Sequence, residues 1–452
     1  MSSLNEIAEN ALLQRQRLPE AFGAEAVRPS YDGLGLVNVP ALVLQLLAPA
    51  TLLDKAVSVP PVNPALLDCP EVTAAFKRVL EQGPINHVVL LLIDAMGYDQ
   101  INGVMATGDL PGLSQMVQNP ANFFMPLTSV YPSTTTTALT SVATASTPQT
   151  HGIMGTVNRM PEMGSLVNLI SFGPAVGSKS YTPQQLNPDT LLPVPNIYQP
   201  LEAEGVVCEQ INFYAFENSS ISRFTTANST AKFISYRTPA TAFATLRERL
   251  LSKPSDGSLK SFTYCYVDTL DAVGHRDGPL TPNYQAELAA LDFSLNRELF
   301  QGLKGRSDLL LFVVADHGQR TVDPQKVAWL HEHPELTRLF VAPMGGERRV
   351  AYLYLKAGTL ETARRYIDSH FGEHFLTLSK VEALEMGLFG LPGQAISSQA
   401  DDRIGDLLMI PRREWITRQF VTATDKGPTG RDGVHGGLSR AEMLIPLLMA
   451  RF

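Results

Sequence analysis

The chain has 452 residues, 44% of them hydrophobic and 18% charged, with a net charge of -8. This balance argues against a disordered protein, and the negative charge without any basic tract argues against a nucleic-acid scaffold as partner. Three scattered cysteines, Cys69, Cys208 and Cys265, form neither a disulfide framework nor a zinc knuckle, and fit a reducing compartment. The opening stretch MSSLNEIAENALLQRQRLPEAFG lacks the apolar core of a signal peptide, and no apolar run is long enough to span a membrane. The expectation is a cytoplasmic protein without membrane contact.

In chain order, residues 1–84 carry several prolines and little periodicity, and read as a segment wrapping the outside of the core. Residues 88–93 (VVLLLI) are the first strong strand, a continuous β-branched and aliphatic run of the kind covered on both faces. The sequence YPSTTTTALTSVATA then puts four threonines, Thr134 to Thr137, after a Pro-Ser pair, and enters a helix from about Thr135. Residues 156–196, rich in Pro, Gly, Ser and Asn, read as an irregular insertion near the site. A weaker strand at 205–211 and a helix at 241–252 follow. Residues 262–267 are the second strong strand. Thr281-Pro282 caps a helix carrying Tyr284, Leu288, Leu291, Leu295 and Leu299 at helical spacing. The third strong strand is 309–315. Residues 337–402, with a strand at 350–355 and a helix at 359–370, read as a small inserted α+β subdomain, and 404–410 is a weaker strand. Strands alternating with helices predict an α/β/α sandwich with a mostly parallel sheet, its core formed by 85–336 and 403–452.

Each strong strand ends in the same chemistry. Asp94 follows the first, Asp268, Asp271 and His275 follow the second, and Asp316-His317-Gly318 follows the third. Ligands of open α/β sheets bind beyond the carboxyl ends of the strands. Asp and His without Cys suit zinc, manganese or iron better than calcium. A further histidine, His435, stands between glycines in GVHGG. Taken singly, an Asp after a strand caps a turn and a buried His is a core residue. Taken together, Asp94, Asp271, His275, Asp316, His317 and His435 make a constellation. Asp268 reads as a structural carboxylate, and His331, His333, His370 and His374 as surface residues. A hydroxyl at a helix N-terminus faces the positive end of the dipole, a natural place for phosphate. With a metal beside it, one of the four threonines can act as nucleophile, and the composition leaves open which.

The segments LLIDAMGYD, YPSTTTTALTSVATASTPQTHGI, DAVGHRDGP, VVADHGQ and GVHGG, in this order, resemble the alkaline phosphatase superfamily. Within it they are most similar to the type I phosphodiesterase, or nucleotide pyrophosphatase/phosphodiesterase, branch, over residues 85–452. The resemblance implies that Thr135 is the nucleophile and a metal ligand. It also implies two divalent ions, zinc with manganese as the alternative, one held by Asp94, Asp316 and His317 and the other by Asp271, His275 and His435. Nucleotide-cleaving relatives carry an asparagine where this chain has Thr156, with Asn158 two residues on, and often an aromatic residue where this chain has Thr136. Thr156, Thr136 and Asn158 are therefore the implied substrate-binding positions. No equivalent of the phosphate-clamping arginine of the namesake phosphatase stands out, although Arg276, Lys426 and Arg431 lie near motif residues. The sulfatase signature is absent. The implied activity is hydrolysis of a small-molecule phosphodiester through a phospho-threonine. A phosphomonoesterase or phosphonate hydrolase on the same site is the alternative, and a non-catalytic scaffold is the reading from another class.

Overall fold

The structure, a computed structural model, describes residues 3–48, 59–177, 179–422 and 433–452. A seven-stranded sheet runs in the order Phe123–Thr128, Leu444–Ala450, Leu309–Val314, His87–Ile93, Ser261–Val267, Val207–Phe213, Lys232–Tyr236. Pairing is parallel except at Leu444–Ala450, which is antiparallel to both of its neighbours. The three strands strongest in the sequence lie side by side at the centre, with His87–Ile93 in the middle. Every residue in them is buried, which is why they read as continuous apolar runs rather than alternating ones. Their register aligns Leu92 with Tyr266 and with Val314, so the chain leaves all three at one edge of the sheet.

The expected helices are present. Pro282–Leu295 begins at Thr281, whose hydroxyl accepts the Tyr284 N–H, and Leu288, Leu291 and Leu295 join the same apolar core as the sheet. Pro239–Leu251 starts two residues before the expected position because Thr238 caps it and Pro239 takes the first helical position, where a missing N–H costs nothing.

A second seven-stranded sheet differs from expectation. Its order is Phe375–Ser379, Leu407–Pro411, Val350–Leu353, Gly345–Glu347, Val157–Met160, Ser165–Asn168, Gly173–Pro174, and every pairing is antiparallel. It takes three strands from the stretch read as an irregular insertion and one from the stretch assigned to the core. Residues 157–168 form a hairpin whose turn passes through Gly164 at φ 62. Its two strands are only four residues long, with partly buried patterns too short to show a period. The helix Asn38–Leu47 is also unlike a wrapping segment, since Val39, Leu42, Val43, Leu44 and Leu47 are all buried in the main core. A helix that is apolar all round carries no amphipathic signature.

Candidate metal centre and active site

Where the central strands end, the chain turns and presents acids and imidazoles. Asp94 keeps the sheet ladder for one more residue, its N–H donating to Val267 O at 2.8 Å. Ala95 then adopts φ 58, a left-handed conformation that costs a residue with a Cβ about 1–3 kcal/mol and tends to occur at functional sites. The turn aims the Ala95 N–H at Asp316 Oδ1, 3.1 Å away, and the same oxygen accepts the His317 N–H at 2.9 Å. Asp316 Oδ2 and Asp94 Oδ1 are buried and have no hydrogen-bond partner. The Tyr266 hydroxyl donates to Asp94 Oδ2.

Asp271 and His275 stand four apart on the helix Thr269–Asp277, hence on one face of it. Gly433 lies against this helix so closely that a Cβ added there would sit 2.3 Å from Gly274 O. That contact brings His435 to the same place. His275 Nε2 is 3.4 Å from Asp271 and 3.1 Å from His435 Nε2, and the His435 ring stacks on His317 with centroids 3.8 Å apart. Two donor sets result: Asp271, His275 and His435, and Asp94, Asp271 and His317, each with ligand atoms within 4.8 Å of one another. Asp271 thus reaches both. Thr135, the first residue of the helix Thr135–Thr144, places Oγ1 3.1 Å from His317 Nε2 and 3.4 Å from Asp94 Oδ2.

These groups fit divalent cations. The Nδ1–H of His275, His317 and His435 donate to the carbonyls of Gly433, Gly318 and Ser133 at 2.8, 3.1 and 3.1 Å. Those bonds select the tautomer that leaves each Nε2 lone pair facing inward, the usual support for a metal-bound histidine. The lone pairs of His275 and His435 then meet with no proton between them. Burial, with Asp316 and Asp271 alongside, pushes the Asp94 carboxyl well above the usual range, and burial also raises Asp271. Burial, then the neighbouring His317 and His275 rings, pushes His435 well below the ordinary histidine value. Positive charge brought among these groups would relieve the two carboxyl shifts and keep His435 in the neutral form that binds a metal.

A 260 Å³ cavity opens beside Asp94, Thr135 and Asp271, lined largely by apolar side chains that include Leu139, Val142, Ile170, Phe216, Phe262 and Tyr264. Asp268 stands on its wall, and burial pushes that carboxyl up. The expected substrate-binding residues are placed less simply. Asn158 lines no part of the cavity; its Oδ1 accepts the Met154 N–H at 3.0 Å and its Nδ2 donates to Gly155 O at 2.6 Å, so its amide is engaged in the local turn. Thr136 is fully buried off the cavity, its hydroxyl without a partner, as is that of Thr137. Thr156 N–H is held by Glu347 Oε1 at 2.6 Å. Arg276 is exposed and paired with Asp277, whereas Lys426 and Arg431 lie outside the described residues.

Several supporting residues escaped the sequence reading. Tyr266 reads as an ordinary core position of its strand. Gln319 donates to Asp271 Oδ1 at 2.6 Å, and its place directly after Asp-His-Gly was the available signal. Ser133 donates to Gly437 O at 2.8 Å, and Glu442 accepts the Gly437 N–H at 2.9 Å, so both hold the His435 loop.

A mostly parallel sheet with carboxylates and imidazoles at its central strand ends is the build of the alkaline phosphatase-like hydrolases. Residues 88–437 match the family described as type I phosphodiesterase / nucleotide pyrophosphatase. The chain belongs to that family and is an enzyme of the phosphoester-hydrolase class. No curated protein matches it in sequence. Among solved structures it is similar to phosphonoacetate hydrolase from Sinorhizobium meliloti 1021 in complex with phosphonoformate, at 17% identity and TM-score 0.61, covering 81% of this chain and 90% of that one. It is similar as well to murine ectonucleotide pyrophosphatase / phosphodiesterase 5, at 16% identity and TM-score 0.57, covering 80% and 87%. An inactive form of the murine protein in complex with AMP gives 17% identity and TM-score 0.56, covering 80% and 87%. Among the described residues, no helix is long and apolar enough to cross a membrane.

Proposed function

We propose that this chain is a two-metal phosphodiesterase whose nucleophile is Thr135 and whose preferred diester carries an apolar alcohol. The observation that carries this reading is the cluster of Asp94, Asp271, His275, His317 and His435 with ligand atoms close together, and the Thr135 hydroxyl at its edge, 3.1 Å from His317 Nε2 and 3.4 Å from Asp94 Oδ2. Asp94, Asp316, His317 and Thr135 would hold one ion, and Asp271, His275 and His435 the other, with zinc the preferred metal and manganese the alternative. When bound, such a pair supplies Lewis acidity to the phosphoryl oxygens and lowers the pKa of a hydroxyl or water.

The chain's own residues do the rest. Thr135 Oγ1 forms a bond to phosphorus, the bond from phosphorus to the departing alcohol breaks, and the alcohol leaves with a proton. Water then adds to phosphorus and the bond to Oγ1 breaks, restoring the threonine and releasing a phosphomonoester. The first N–H groups of the Thr135–Thr144 helix have no partner within the helix, and a phosphoryl oxygen at that end meets both these donors and the positive end of the dipole. The rings and aliphatic side chains of the cavity exclude water from one ester group, which favours an aryl or alkyl substituent. Three free cysteines support placing the enzyme in the cytoplasm.

The test is a panel of bis-p-nitrophenyl phosphate, p-nitrophenyl phosphate, a thymidine phosphate diester and a phosphonate, each assayed with zinc and with manganese. The aryl diester is expected to have the highest kcat/KM. A monoester or phosphonate favoured by more than about tenfold, or about 1.4 kcal/mol of transition-state binding, would replace the diester reading.

A further inference from the structure

Glu347 ends the strand Gly345–Glu347 of the second sheet and has no part in the chemistry above. Its Oε1 accepts the Thr156 N–H at 2.6 Å. The hydroxyls of Thr156 and Thr134 also hydrogen-bond to its carboxylate. Its Cβ and Cγ press on Gly436, where an added Cβ would come within 3.0 and 3.1 Å of them. One side chain therefore neighbours the residue before Thr135, the residue after His435, and Thr156. It lines no part of the apolar cavity. Burial raises its pKa, while hydrogen bonds from Thr156 and Thr134 and the charge of Arg348 oppose that rise.

We propose that Glu347 is a specificity-determining residue, its fixed negative charge disfavouring dianionic phosphate monoesters relative to monoanionic diesters. The inference rests on the phosphodiesterase reading. A diester brings one negative charge to Thr135, and a monoester brings close to two at neutral pH. Repulsion from a fixed carboxylate scales with that charge, and the charge is poorly screened in a partly buried site. Discrimination by a repulsive group needs no contact with the favoured substrate. Its hydrogen bond to the Thr156 N–H also ties that residue to the strand Gly345–Glu347.

The experiment compares wild type, Glu347→Gln and Glu347→Asp on bis-p-nitrophenyl phosphate and p-nitrophenyl phosphate, with bound metal quantified in each preparation. Gln keeps an acceptor oxygen and nearly the same shape but removes the charge. The ratio of monoester to diester kcat/KM should rise about tenfold in Glu347→Gln, an effect of the size expected from a nearby unit charge. Asp keeps the charge on a shorter stem, and its ratio should stay within about twofold of wild type even where both rates fall. Because each ratio is taken within one preparation, loss of folded enzyme does not move it. An unchanged ratio in Glu347→Gln, or an equal rise in both variants, would overturn the proposal. Wild-type enzyme inactive on both esters would instead refute the phosphodiesterase reading, and this inference with it.

Discussion

The side chains of Asp94, Asp316 and His317 are 3%, 0% and 0% exposed, whereas those of Asp271, His275 and His435 are 17%, 42% and 10% exposed. The first three leave strands at the middle of the buried sheet, and backbone N–H groups of Ala95 and His317 fix the Asp316 carboxylate. The other three stand on a nine-residue helix and on a glycine-flanked loop, held by Gln319, Ser133 and Glu442. Rigidity around Asp94, Asp316 and His317 follows from core packing. On the other side it follows from a few polar contacts, and that side is open to solvent and to exchange.

The largest effect should come from removing the metal. Chelation is expected to abolish turnover and lower the melting temperature, because binding energy for the ions is available only to the folded site. Release measured by a chromophoric chelator should occur in two phases, with the ion at Asp271, His275 and His435 leaving first. Simultaneous release would break the comparison, and full activity in stripped enzyme would remove the metal centre altogether.

Next comes the nucleophile. Thr135→Ala should lower kcat by at least about a thousandfold while most of the bound metal is retained, since Asp94, Asp316 and His317 remain. Thr135→Ser should keep measurable activity, as it keeps the hydroxyl.

A smaller effect is expected from the tether of the exposed side. Glu442 and Arg349 form a buried ion pair at 3.0 Å, and Arg349 also donates to the carbonyls of Arg413 and Trp415. Glu442→Ala leaves Arg349 buried without its partner, which costs about 3–5 kcal/mol in denaturant unfolding. It should also weaken metal binding selectively at the His435 side. Equal weakening at both sides would show that the two halves are not independently held.

The smallest effect belongs to the cavity. Tyr264→Ala should raise KM for bis-p-nitrophenyl phosphate about three- to tenfold, with less change for a dimethyl diester that leaves the cavity unfilled. An equal change for both diesters would remove the cavity from substrate binding.

The two sides also differed in how far the sequence disclosed them. Buried parallel strands must be continuously apolar, so the runs before Asp94, Asp271 and Asp316 were readable, and an acid after such a run is conspicuous. Asp271 and His275 were readable as a spaced motif and His435 by its glycines. What supports these residues was not readable. Tyr266 looks like a core aromatic until its hydroxyl is seen to meet Asp94. Glu347 lies in GGERRV, which reads as a charged surface turn, and it becomes a site neighbour only through the pairing of Gly346 with Val157, 189 positions earlier in the chain. Thr136 and Asn158 were placed by motif spacing alone, which does not report where a side chain points once the helix and hairpin have formed. Strands of three to five residues with partly buried faces carry too few positions for a period, so most of the second sheet was lost to the same cause.

The central claim is that one threonine among four attacks phosphorus. A helix turns about 100° per residue, so successive hydroxyls cannot share one direction, and of the four it is Thr135 Oγ1 that lies beside Asp94 and His317. Rapid acid quenching during turnover of an aryl phosphodiester, followed by peptide mass spectrometry, reads the site of phosphoryl transfer directly. The account predicts a phospho-adduct on Thr135, absent from Thr135→Ala. An adduct on Thr134, Thr136 or Thr137, or undiminished turnover in Thr135→Ala, would contradict it.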